Sequence, residues 1–196
     1  MIVGEQKPIL EIKEIIAPYK KILILGCGTC VKTCFAGGED EVAVLASALR
    51  LACKKDGKEI EIEEFTVERQ CEDEFIQESA PAISRNDGVL SLACGAGVQA
   101  IARRFAKSPV LPGVNTMFIG VLEKQGVFTE ECSGCGNCRL DIFGGICPVT
   151  RCAKKIIERL GILGQMDNLR IYVPPKNWQT SLSGGPRKLV REDHMI

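Results

Sequence analysis

Histidine is almost missing from this chain. His194 is the only one in 196 residues, which excludes a Ser–His or Cys–His catalytic pair inside the fold and any metal site built on two imidazoles. Net charge is missing too: 25 Lys and Arg stand against 25 Asp and Glu, leaving no electrostatic footprint for DNA or RNA. Long apolar runs are absent. ILIL at 22–25 is broken within a few residues, far short of the ~20 that span a bilayer, so no membrane partner is expected. The first residues, MIVGEQKPILEIKEI, show neither an apolar signal-peptide core nor a small-residue cleavage site. A cytoplasmic location is therefore expected, where disulfides rarely persist. Cysteine, in contrast, is plentiful at 11 residues. The odd number suits a complete disulfide set poorly, and metal binding or redox work fits better.

Periodicity divides the chain. KILILG (21–26) reads as a buried strand. Glu39 and Asp40 open a helix whose apolar stripe is Val42, Leu45, Ala46, Leu49, Ala52 and Cys53. Asp56-Gly57 turns the chain into a second strand, EIEIEEFTV, followed by a short helix from Glu72 to Ser79 and a turn at Asn86-Asp87-Gly88. VLSLA (89–93) predicts a third strand, GVQAIARRFA a third helix, and VNTMFIGVL a fourth strand after the punctuation of Pro109, Pro112 and Gly113. Strands and helices alternating at this spacing imply right-handed crossovers, hence an α/β fold with a small doubly wound parallel sheet over residues 1–125. Residues 126–160 then form a cysteine-rich segment with a helix from Ala153 to Leu160, and residues 161–196, with Pro174-Pro175 and Trp178, read as a C-terminal arm.

The cysteines fall into two groups. Cys132, Cys135 and Cys138 stand at two successive x2 spacings, followed by Cys147-Pro148 and Cys152. Three thiolates so spaced can wrap one corner of a cubane, and a cysteine followed by proline is a usual closing ligand, so four of these five predict a [4Fe-4S] cluster. Zinc is the alternative, although it normally takes two separated Cys-x2-Cys arms. Cys27, Cys30 and Cys34 follow the first strand, Cys71 the second and Cys94 the third. The carboxyl edge of an open α/β sheet is where ligands gather, and four of these five predict a first cluster. Zinc, or a redox pair at Cys27-x2-Cys30, competes there. Cys53 sits on a helix stripe and reads as packing. Gly26-x-Gly28 has the start of a dinucleotide-binding turn, but the third glycine of that pattern is replaced by Val31.

Several stretches carry a family likeness: GCGTCVKTCFAGGEDEVAVLASALRLA (26–52), VERQCE (67–72), SLACGAGVQ (91–99), CSGCGNC (132–138), GGICPVTRC (144–152) and the tail VPPKNW…SGGPRKLVRED. On these the chain resembles the small iron–sulfur subunit (MetV type) of bacterial two-subunit methylenetetrahydrofolate reductases, over nearly its whole length. It departs from that family after Cys152, where members commonly continue into a glycine-rich run with further cysteines and this sequence reads AKKIIERLGILGQ. The resemblance implies a non-catalytic electron-transfer subunit carrying two [4Fe-4S] clusters, without folate of its own. Its partner would be a flavin-containing catalytic subunit, a β/α barrel with FMN that interconverts methylenetetrahydrofolate and methyltetrahydrofolate; further electron-transfer subunits are compatible with it. Two other classes compete: a scaffold subunit whose cysteines hold zinc, and a free-standing thiol oxidoreductase using Cys27 and Cys30.

Overall fold

A computed structural model describes residues 1–132 and 188–190 of the chain. Its centre is a parallel sheet of four strands: β2 (Lys21–Cys27), β3 (Glu61–Val67), β4 (Gly88–Ser91) and β5 (Val110–Pro112), in the order β3-β2-β4-β5. Six of the seven residues of β2 and all four of β4 are buried, as expected of parallel strands covered on both faces. Successive side chains of β2 point to opposite faces. Ile22 and Ile24 pack with Ile12 and Ile16 of α1 (Ile9–Ile16) and with Val42, Leu45 and Leu49 of α3 (Glu39–Lys55). Leu23 and Leu25 pack with Ile76 of α4 (Asp73–Ile76), with Ala82 and Ile83 of α5 (Ala80–Arg85), and with Ile101 of α6 (Gly95–Arg104). Each of these fully buried Ile or Leu side chains stabilises the fold by about 1.5–3 kcal/mol.

The α3 helix follows its expected stripe. The Glu41 carboxylate accepts the Gly38 N–H at 2.7 Å, Glu39, Asp40 and Glu41 occupy the positive end, and Lys54 and Lys55 the negative end. Gly57, at φ +68°, then reverses the chain, a conformation that favours glycine. The helix expected over 72–79 is shorter and interrupted: α4 passes through a 3-10 turn at Gln77–Ser79 into α5, which carries Pro81 in its first turn.

One expectation is corrected. The strand VNTMFIGVL does not extend the parallel sheet; β5, within the stretch read as punctuation, takes the fourth place, with Val89 opposite Val110. At Gly113 the chain leaves that sheet, and β6 (Val114–Lys124) pairs antiparallel with β1 (Ile2–Gln6) and with β7 (Val127–Cys132). With β8 (Lys188–Val190) these form a second sheet in the order β1-β6-β7-β8. The burial of β6 fits this pairing: Val114 and Phe118 on one face are buried while Asn115, Met117 and Ile119 on the other are half-buried, a one-sided pattern rather than that of a fully covered parallel strand. β1 and α1 are not foreseen in the sequence. Residues 133–160, with the expected helix at 153–160, and all of the expected arm except β8 lie outside the described residues. No helix among the described residues is long and apolar enough to cross a membrane.

Candidate metal centre

The strand order reverses between β2 and β4, since β2 connects to β3 on one side and β4 lies on the other. That switch point opens a crevice beyond the carboxyl ends of the strands. Cys27 is the last residue of β2, and Cys30 opens the single-turn helix α2 (Cys30–Thr33). Cys71 lies four residues past the end of β3, and Cys94 is the N-cap of α6, three residues past β4. The loop between Cys27 and Cys30 is anchored on both sides, with Cys27 N–H donating to the Gly37 carbonyl at 2.8 Å and Gly28 N–H to the Val67 carbonyl at 2.9 Å. Gly37 is required by close approach: a Cβ there would stand 2.0 Å from the Leu92 carbonyl oxygen.

Cys71 and Cys94 each lie within electrostatic reach of Cys27 and Cys30. Burial pushes the Cys71 thiol up, and negative charge at Cys27 and Cys30 pushes it further. Burial likewise raises Cys94; the backbone N–H groups of Gly97 and Ala96 oppose this, while charge at Cys27 and Cys30 adds to it. Cys71 and Cys94 thus resist ionising beside Cys27 and Cys30, and a positive centre among them would favour their thiolates. Exposure is graded across the group: Cys27 is buried, Cys30 and Cys94 are half-buried, and Cys71 is exposed. Cys27 Sγ lies 3.7 Å from Thr29 Oγ1 and 3.9 Å from the Glu68 carbonyl.

Cys34 is placed elsewhere. It is fully buried in the core between the two sheets, with its Sγ directed to the Ile2 carbonyl of β1 at 3.7 Å. Cys53 packs on the buried side of α3, as expected. Among the described residues, no three His, Cys, Asp or Glu side chains converge at the spacing of a single-ion site. The donor set at this edge is all thiol, with Gly28 and Gly95 in the adjoining turns, the donor chemistry that an iron–sulfur group takes. The backbone at Cys132 ends β7; its side chain, and Cys135, Cys138, Cys147 and Cys152, lie outside the described residues.

The turn at Gly26-x-Gly28 does not form a phosphate cradle. A Cβ on Gly26 would meet Thr66 Oγ1 at 2.5 Å and Val42 Cγ2 at 2.7 Å, so this glycine serves the close packing of strand against helix. Glu39, Glu64 and Glu68 are among the residues lining the open cleft of about 480 Å³ beside the turn, and two of them are ion-paired, Glu64 with Arg50 at 2.7 Å and Glu68 with Arg69 at 2.8 Å.

Sequence reasoning missed the polar floor of the crevice. Gln70 is fully buried; its Nε2 donates to the carbonyls of Leu25 at 2.7 Å and Gly26 at 3.1 Å, and its Oε1 accepts from Ser91 Oγ at 2.6 Å. The only sequence signal was a glutamine directly before Cys71.

No curated protein and no solved structure matches the chain. A family model described as methylene-tetrahydrofolate reductase C terminal matches residues 111–158. The matched span runs from β5 through β6 and β7 and includes Cys132, Cys135, Cys138, Cys147 and Cys152. Over these residues the chain is similar to the C-terminal region of methylenetetrahydrofolate reductase, an oxidoreductase.

Proposed function

We propose that the chain is a cytoplasmic iron–sulfur electron-transfer subunit of a methylenetetrahydrofolate reductase complex. Cys27, Cys30, Cys71 and Cys94 would hold one [4Fe-4S] cluster, and four of Cys132, Cys135, Cys138, Cys147 and Cys152 a second. One observation supports the reading: Cys71 and Cys94, beyond the ends of β3 and β4, both lie within electrostatic reach of Cys27 and Cys30 at the end of β2, while the fifth, Cys34, points into the core. The family match over residues 111–158 supports the kind of complex. When bound, such clusters supply one-electron transfer, here to or from the FMN of a catalytic partner that interconverts methylenetetrahydrofolate and methyltetrahydrofolate. The chain's own residues set the conditions. Strand ends and anchored turns present the thiols, the apolar cores beneath them exclude water, and the N–H groups of Ala96 and Gly97 offer Cys94 sulfur hydrogen bonds that favour its charged form. Exposed Cys71 puts one corner of the group at the surface, where an electron partner can approach.

Iron and sulfide analysis of anaerobically prepared protein, with electron paramagnetic resonance, tests the reading. Two filled cubanes give brown protein with about eight irons and eight sulfides per chain, and Cys27→Ser lowers both to about four. A colourless protein that holds only zinc after anaerobic reconstitution refutes it. Cys135→Ser should abolish electron transfer to the flavin subunit and leave the complex assembled; loss of the complex instead would identify a structural metal site.

A further inference from the structure

We propose that Gln70 is a positioning residue of the sheet-edge centre: its side-chain amide fixes the fork between β2 and β4, and with it the relative placement of Cys27, Cys71 and Cys94. The inference rests on the four-thiolate reading above and concerns a residue that is not itself a ligand.

The fork has a defined start. β2 and β4 pair from Ile22 opposite Gly88 to Leu25 opposite Ser91, where their register ends. β2 runs on beside β3 to Cys27, and the chain beyond β4 turns through Leu92 and Ala93 into α6. Past this register the Leu92 N–H still donates to the Leu25 carbonyl at 2.8 Å, and the segment that carries Cys94 then turns away from β2 into α6. The Gln70 amide occupies the gap. Its two N–H bonds close on consecutive carbonyls of β2, those of Leu25 and Gly26, and its oxygen takes the hydroxyl proton of Ser91, the last residue of β4. The Ser91 bond also orients the amide, because it leaves the nitrogen facing the carbonyls.

Each partner is close in sequence to a thiol. Gly26 precedes Cys27, Gln70 precedes Cys71, and Ser91 lies three residues before Cys94. The helix that Cys94 caps is also seated on this side chain. A Cβ at Gly97 would stand 2.9 Å from the Cβ of Gln70 and 2.7 Å from that of Ala93, so the first turn of α6 lies directly on Gln70. A single side chain therefore touches all three segments that carry these thiols. An apolar residue could fill the same volume, but it would leave two carbonyls and a hydroxyl without this partner. A buried amide here does what packing alone does not, since hydrogen bonds fix direction and packing does not.

The test uses the full chain prepared anaerobically, as wild type, Gln70→Leu and Ser91→Ala. The readouts are the electron paramagnetic resonance signal and midpoint potential of the sheet-edge centre, its rate of iron loss to a chelator, and the thermal midpoint of the protein. The cluster of the 132–152 segment serves as internal reference. For Gln70→Leu, chelator-driven iron loss from the edge centre should rise about tenfold, with a changed signal and potential there and an unchanged reference. Ser91→Ala keeps both amide donations and should shift the same readouts in the same direction by less. If Gln70→Leu yields no folded protein, Ser91→Ala decides alone. A lowered thermal midpoint with wild-type signal, potential and iron loss overturns the proposal, for Gln70 would then be a prop of the fold only. Wild-type protein whose iron content is unaffected by Cys27→Ser overturns the centre itself, and this role with it.

Discussion

Replacing Cys34 with alanine separates a ligand from a core residue within one short loop. Cys34 is fully buried, and its sulfur approaches the Ile2 carbonyl at 3.7 Å in a core shared with Val3, Val31 and Ala36. Removing the sulfur deletes about one methylene equivalent of burial, near 0.8 kcal/mol, and leaves a small void, so the total cost is about 1–2 kcal/mol. For a chain of this size that corresponds to a thermal midpoint lower by about 2–8 °C. Iron should not change. Differential scanning at one fixed scan rate suits a protein whose proposed clusters would make unfolding irreversible, and iron analysis is made on the same anaerobic sample. Cys34→Ser is the companion variant: its hydroxyl can donate to the Ile2 carbonyl, and its midpoint should fall between those of wild type and Cys34→Ala. Loss of about four irons from Cys34→Ala, the content of one cubane, would refute the assignment and make Cys34 a ligand in place of one of the other four.

Two further outcomes follow from the packing and the charges. Gly37→Ala must displace backbone, because the new Cβ would lie 2.0 Å from the Leu92 carbonyl oxygen; the urea midpoint should fall by the equivalent of at least about 1–3 kcal/mol. Gly28→Ala, whose nearest contact is 3.4 Å away, should stay within about 0.5 kcal/mol of wild type, and equal effects at the two sites would contradict the geometry. At low pH, the Arg85 guanidinium, followed by Asn86, holds the Glu63 carboxyl below its ordinary range. A carboxyl lowered on folding contributes stability above its unfolded-state range and loses it as pH falls through the folded value. Unfolding followed from neutral to acid pH should therefore show a shallower acid limb for Glu63→Gln. The effect is small for a partly exposed pair, and identical slopes would dismiss it.

How far the sequence leads depends on what each residue pattern encodes. Ile22–Leu25 and the α3 stripe are read correctly because burial on both faces, or on one helical face, leaves a direct mark on residue type. VNTMFIGVL is read correctly as a strand and assigned to the wrong sheet: a strand's own period says which of its faces is apolar, not which neighbour it will pair with. β5 is hidden by Pro112, which removes an N–H but is tolerated in this short outermost strand of the sheet. β1 is hidden because IVGEQ mixes two buried positions with three half-buried ones. At the candidate site, the position of Cys27, Cys71 and Cys94 just after strands locates the edge in advance. What spacing does not reveal is that one turn of α2 carries Cys34 around to the opposite side of its loop, beneath β1. Gln70 escapes for a similar reason, since its partners lie 45, 44 and 21 residues away and a lone glutamine has no period.

The pairing of β1 with β6 also bears on the order of assembly during synthesis. Met1 and Gly120, 119 positions apart, bond to each other in both directions. A ribosome makes β1 first, yet its partner strand emerges only after the whole parallel sheet has been translated. Closing so long a loop is entropically slow and rewards the chain only at the end. Until then the loop from Cys30 to Cys34 lacks the strand that will cover it. The part of the core around Cys34, whose sulfur meets the Ile2 carbonyl, is therefore completed only when β1 docks, after the parallel sheet has been made.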